Sequence, residues 1–207
     1  MRAGLGVALV GLVACVGCGR EPEFSQEEAI AAIEKLGGKF GVDENNDVVI
    51  VDLNYNTQVT DADLVYLKGL TNLEVLNLDN ANISDASLKH LEALAALEEL
   101  LLANTKVTDA GLIYLKGMPR LHRLALHGTK VTDVGLVHLR GLENLENLYL
   151  GKTEITDAGL VHLKGLTELK DLSIGGTKIT DAGLVHLKGL TKLYQLSLSG
   201  PKVTDKG

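Results

Sequence analysis

Residues 121–144 read LHRLALHGTKVTDVGLVHLRGLEN, with the frame Leu121-x-x-Leu124-x-Leu126-x-x-Thr129-x-Val131-Thr132-Asp133-x-Gly135-Leu136-x-x-Leu139-x-Gly141-Leu142. Leu124 and Leu126 flank one residue, so they form a short strand with both leucines on one face. Thr132 suits a helix N-cap, and Asp133 sets a negative charge at that helix's positive end. Leu136 and Leu139 lie three apart, on one helical face. Arg140 and Gly141 then close the helix, the glycine as its expected left-handed residue. The unit is strand, turn, short helix, turn. It cannot bury its own leucines and needs a neighbour on each side.

The neighbours are present. Leu73, Leu97, Leu121, Leu145, Leu169 and Leu193 recur every 24 residues, and the same frame follows each. A period held that strictly marks a stack of like units rather than an irregular globule. Composition agrees: aromatics are 3% of the chain and Trp is absent, so Leu, Val and Ile must make the core.

The frame resembles the leucine-rich-repeat family, whose mark is Leu-x-x-Leu-x-Leu-x-x-Asn/Cys-x-Leu, over about residues 48–207. The resemblance implies an α/β solenoid, a right-handed horseshoe with a parallel concave sheet and short convex helices. About seven repeats are expected, the last incomplete. The Ile/Val-Thr-Asp-x-Gly-Leu segment looks most like the helix-bearing repeats of bacterial proteins and of F-box substrate-binding domains, though no F-box segment is present. The family's Asn or Cys place holds Thr105, Thr129, Thr153 and Thr177, with Ala81 and Pro201 toward the ends. A threonine hydroxyl can bond neighbouring backbone; Ala81 and Pro201 cannot donate, so this ladder should weaken at both ends.

The first unit is irregular. Val48, Val51 and Leu53 match the strand positions, with one extra residue before Val59. Ahead of it, Ile30, Ile33 and Leu36 have helical spacing, followed by Gly37-Gly38. Residues 26–47, including Lys39–Val42, are expected to cap the first repeat, because solenoid ends need covering. Residues 19–25 are expected to be a short tether. At the other end the chain reaches Lys206-Gly207 where a seventh helix should begin, and an open end would offer a self-association face.

Residues 1–18 carry one early positive charge, Arg2, then an apolar run from Ala3 to Ala14. That run is shorter than the roughly 20 residues a bilayer span requires, and it fits an export signal. Leu12-Val13-Ala14-Cys15 resembles the bacterial lipobox, which implies lipidation at Cys15, with Cys18 as the alternative. A plain secretory signal is the other reading, leaving a secreted soluble protein. Cys15 and Cys18 are the chain's two cysteines, so the body has neither a disulfide framework nor a thiolate metal site.

The net charge of −7 is spread through the sequence without basic blocks, which argues against nucleic acid and against electrostatic attraction to anionic lipid. Any membrane contact is expected through the lipid anchor only. Tyr66, His90, Tyr114, His138, His162 and His186 recur on the helices and are expected to stack into a ladder. Helices packing about 8–10 Å apart do not bring such side chains onto one zinc ion, which needs bonds of about 2.0–2.1 Å. Asp61, Asp85, Asp109, Asp133, Asp157, Asp181 and Asp205 also recur. Each is expected to serve its own helix start rather than calcium, which needs six to eight converging oxygens. No cofactor is expected, and no nucleophile, base and orienting group stand together to suggest an enzyme.

The functional expectation is therefore a non-enzymatic module that binds a protein or peptide on its concave face, exported to a bacterial cell envelope. The alternative is a structural envelope component that self-associates through its open C-terminal end. Arg and Tyr are favoured anchors in interfaces, so Glu99, Arg123, His127, Asn147 and Tyr149 are the candidate contact patch. These residues can equally be ordinary variable surface positions.

Overall fold

The computed structural model describes residues 24–199 and 203–204. The expected export signal with Cys15 and Cys18, most of the expected tether, Pro201 and residues 205–207 lie outside the described residues. Helix α1 (Gln26–Lys35) comes first, then strands β1 (Lys39–Val42), β2 (Val48–Asp52), β3 (Val75–Asn77), β4 (Glu99–Leu101), β5 (Arg123–Ala125), β6 (Asn147–Tyr149), β7 (Asp171–Ser173) and β8 (Gln195–Ser197). The eight strands form one sheet in chain order. β1 pairs antiparallel with β2, and every later pair is parallel.

Register is the repeat made visible. Ile50, Val75, Glu99, Arg123, Asn147, Asp171 and Gln195 stand side by side, as do Leu76, Leu100, Leu124, Leu148, Leu172 and Leu196 one residue on. The leucine row from Leu76 to Leu172 is fully buried. Burying each such side chain contributes about 1.5–3 kcal/mol, which a single isolated unit could not collect. Leu196, in the last described strand, is 37% exposed.

The returning segments are short. Asp133–Leu136, Asp157–Leu160 and Asp181–Leu184 are single α-helical turns that tighten into 3-10 turns over the next three residues. Asp61–Gly69 and Gly111–Gly117 are 3-10 throughout. Three or four residues cannot bury much area alone, so these turns depend on packing against their neighbours.

Thr108, Thr132, Thr156 and Thr180 cap their own turns; Thr132 Oγ1, for example, accepts from the Val134 N–H at 3.3 Å. The aspartates do something else. Asp133 accepts the Thr156 N–H and the Thr156 hydroxyl, 23 residues ahead in the next repeat. The same pair of bonds joins Asp85 to Thr108, Asp109 to Thr132, Asp157 to Thr180 and Asp181 to Thr204. The expectation that each aspartate serves its own helix is thus corrected: its oxygens stitch one repeat to the next. The glycines at 111, 135, 159 and 183 leave room for it, since a Cβ there would lie 2.3–2.5 Å from an aspartate oxygen. In the second repeat that place holds Ser87, whose hydroxyl donates to Asp61.

A second correction concerns Gly141, which is not in the left-handed region and has open space where a Cβ would go. The left-handed residues instead follow the strands, at Tyr55, Asn80, Asn104, Gly128, Lys152 and Gly176, with φ between 53° and 73°. Asn and Gly tolerate that region most readily, which explains four of the six. The threonine column behaves as its chemistry suggests: the hydroxyls of Thr105, Thr129, Thr153 and Thr177 donate to carbonyls three residues back, at 2.6–2.7 Å.

At the N-terminal end, Ser25 and Glu28 form a reciprocal capping box that starts α1. Gln26 ties that helix to the sheet, accepting from the Val48 N–H at 2.7 Å and donating to the Asn46 carbonyl at 2.9 Å. Ala29 and Ile33 turn into the core. The ring of Phe24 meets Tyr66 edge-on with centroids 4.7 Å apart.

Candidate functional site

Alternate residues of β2 to β8 face away from the leucine core, and their side chains build the concave face. Over β3 to β8 that face carries an open cleft of about 470 Å³. Arg123, His127 and Tyr149 line it, with Asp79, Leu101, Ala125, Lys152 and the hydroxyls of Ser173, Ser197 and Ser199. Of the residues expected from sequence, Glu99 stands beside the cavity and pairs with Arg123 at 3.6 Å. Asn147 lies in register between Arg123 and Asp171 and is not part of the lining.

Arg123 is held by more than Glu99. Its guanidinium lies over the Tyr149 ring, 5.5 Å from the centroid, within range of a cation–π attraction. The Tyr149 hydroxyl donates to Asp171 Oδ2 at 3.0 Å. Burial, and then that bond to Asp171, push the Tyr149 hydroxyl above the ordinary tyrosine pKa. Glu99, Arg123, Tyr149 and Asp171 thus form one chain of contacts across four strands. Two buried atoms in it have no hydrogen-bond partner among the described residues: Arg123 Nε and Asp171 Oδ1. Asp171 itself is 8% exposed. Both atoms lie beneath the cleft floor, and Asp171 is not among the residues that line the cavity.

Asp79 closes the N-terminal side. It accepts the Ala103 N–H at 2.6 Å. Burial raises its carboxyl pKa; the Ala103 N–H and then the charges of His127 and Arg123 only partly offset that, and Asp52 reinforces it. Lys152 enters from the left-handed position after β6. The glycines 151 and 175 are explained by the fold rather than by a ligand. A Cβ on Gly151 would sit 3.1 Å from the Gly175 carbonyl, and one on Gly175 would sit 2.4 Å from Ser199 Oγ.

Sequence reasoning placed Arg123, His127 and Tyr149 and left out Asp79, Lys152 and the three serines. Lys152 lies outside the two-residue alternation of its strand. Its signal was the column it shares with Asn80, Asn104, Gly128 and Gly176, residue types that mark a left-handed turn.

On the opposite face, two members of the helix column have partners outside it. Tyr66 pairs with Phe24, and His162 lies within hydrogen-bond reach of Arg140. Burial and the Arg140 charge both lower the His162 pKa. Among the described residues no group of three or more His, Cys, Asp or Glu side chains converges to hold a metal ion, and no helix is long and apolar enough to cross a membrane.

The element order and strand-face geometry define a leucine-rich-repeat solenoid. Solved leucine-rich-repeat structures share the fold. Internalin C2 from Listeria monocytogenes has a TM-score of 0.53 at 19% identity, the match covering 83% of this chain and 92% of that one. Pollen Receptor Kinase 3 has a TM-score of 0.55 at 19% identity, covering 80% and 79%. The ectodomain of the Arabidopsis receptor kinase HAESA, solved with a peptide hormone, has a TM-score of 0.62 at 21% identity, covering 79% of this chain and 28% of that one. No family model matches the chain, and no curated protein matches it in sequence.

Proposed function

We propose that this chain is a non-enzymatic interaction module that holds a protein or peptide in its concave cleft. The observation that carries this reading is the Arg123–Tyr149 pair. Both are residue types that dominate interface energetics, they are mutually fixed, and they line the cleft. The HAESA ectodomain, a protein of similar fold, was solved with a peptide. The finer part of the proposal is address. The module is exported to a bacterial envelope and anchored through a lipid on Cys15, or on Cys18, as the lipobox-like leader suggests.

A crosslinking pull-down from envelope extract tests the reading, with the full chain as bait and an Arg123→Glu, Tyr149→Ala double variant as control. A partner kept by the wild type and lost by the folded variant supports the cleft as the site. Equal capture by both removes the cleft from consideration. Recovery of the bait's own chain alone favours self-association instead.

A further inference from the structure

The cleft does not present one charge. Its N-terminal flank holds Asp79, with Asp52 close enough to perturb it. Its middle holds Arg123, His127 and Lys152. Its C-terminal flank is uncharged and small, with Ser173 and Ser199. The order along the stack is therefore acidic, basic, neutral, although the linear sequence scatters these residues over more than a hundred positions.

From this order we propose that the bound segment is an extended peptide bearing one basic and one acidic side chain four residues apart, the basic one over Asp79 and the acidic one over Arg123, His127 and Lys152. The inference rests on the interaction-module reading above and specifies its ligand.

The spacing follows from the sheet. Asp79 and His127 hold the same place in repeats two strands apart, and Lys152 lies one strand further. At about 4.8 Å per strand these separations are roughly 10 and 14 Å, and an extended peptide advances about 3.3 Å per residue. Four residues advance about 13 Å, and side chains four apart in an extended chain point to the same side. The energetics favour the mixed pair over either charge alone. A purely anionic ligand would bring its charge toward Asp52 and Asp79, and a purely cationic one toward Arg123 and Lys152. A basic group beside Asp79 stabilises a carboxylate that burial has made costly to ionise. An acidic group at the cleft's centre can pair with the exposed end of the Arg123 guanidinium, which Glu99 approaches only to 3.6 Å.

Selection of random dodecapeptides displayed on phage tests this, run against the immobilised full chain, an Arg123→Glu, His127→Glu variant and an Asp79→Asn variant. Circular dichroism melts establish that each variant is folded. The wild type is expected to enrich sequences that pair Lys or Arg with Asp or Glu four residues apart. The double variant is expected to lose the acidic preference at least tenfold, and Asp79→Asn the basic preference alone. Asp79→Asn keeps an acceptor for Ala103, so it tests the charge if the double variant does not fold. Enriched peptides without the charge pair, unchanged between wild type and variants, overturn the proposed ligand while leaving the cleft a peptide site. No enrichment on any form overturns the peptide reading as well.

Discussion

Asp133 accepts two hydrogen bonds from one residue of the following repeat, Thr156: the backbone N–H at 2.7 Å and the hydroxyl at 2.6 Å. The same carboxylate occupies the space beside Gly159, where a Cβ would come within 2.3 Å of Oδ1. The seams at Asp85, Asp109, Asp133 and Asp157 therefore each join an aspartate to a hydroxyl and to a missing side chain. Leucine packing supplies most of the burial, and this joint fixes how successive turns sit on one another.

Asp133→Ala is expected to lower stability by about 2 kcal/mol, since bonds to charged groups contribute about 1.5–3 kcal/mol each and water replaces part of the loss at this half-open site. Asp133→Asn should lose less, because one amide oxygen still accepts. Urea unfolding reads both as a fall in midpoint at constant slope. A wild-type midpoint for Asp133→Ala would mean that the leucines hold the seam unaided.

Gly159→Ala and Gly141→Ala are chemically the same change and should differ in sign. At Gly159 the new methyl meets an aspartate oxygen, and a drop of several degrees in melting temperature is expected. At Gly141 there is nothing within 4 Å, so the substitution should be neutral or mildly stabilising through a less flexible unfolded chain. In an Asp133→Ala background the penalty at Gly159 should shrink. Strictly additive melting shifts would disprove the coupling.

Asp61 and Asp79 respond to acid in opposite senses. At Asp61 burial pushes the carboxyl up, but bonds from Ser84 and Ser87 and the charge of His90 outweigh it, and the group titrates below its ordinary value. A depressed folded pKa means a contribution present above about pH 4 and lost as pH falls through the folded value. At Asp79 burial wins and the folded pKa is raised. The folded chain then holds that proton more tightly than the unfolded one, and stability is lost as pH rises through the folded value. Asp79→Asn should be more stable than wild type near neutral pH, and Asp61→Asn less stable, with both gaps closing below about pH 4. Thermal melts across that range decide it: gaps that persist unchanged into acid would assign the effects to packing.

Tyr149→Phe removes the hydrogen bond that Asp171, a carboxylate 8% exposed, accepts from the tyrosine hydroxyl. A loss of about 1–3 kcal/mol is expected from leaving Asp171 without its donor. Tyr149→Phe combined with Asp171→Leu should recover much of it, as the buried polar group is then gone. No recovery in the double variant would place the tyrosine's value in its ring contact with Arg123 instead.

Leucines could be read from the sequence because burial imposes its demand once per repeat, in the same residue type, at the same offset. The seam could not. A linear reading assigns Asp133 to the helix start beside it, whereas its partner lies 23 residues ahead. Gly141 misled for a related reason: glycine at a helix end suits a left-handed turn, but the chain takes that turn after the strand, at Gly128 and its equivalents. In the cleft, Arg123 and Tyr149 stood out as variable, outward-facing anchors. The repeat frame also sets Asp79 in the outward column of His127, but its place in the same cleft as Arg123 and Tyr149 emerged only with the structure.

Since every regular unit carries both halves of the same joint, removing or duplicating one whole unit leaves cut surfaces that still match. The array can therefore lengthen or shorten in evolution without rewriting its seams. Each such event between Asp79 and Arg123 would move the acidic and basic parts of the cleft apart or together by one strand, about 4.8 Å. Ligand length would then be inherited in whole steps, as a property of how many units lie between two charges.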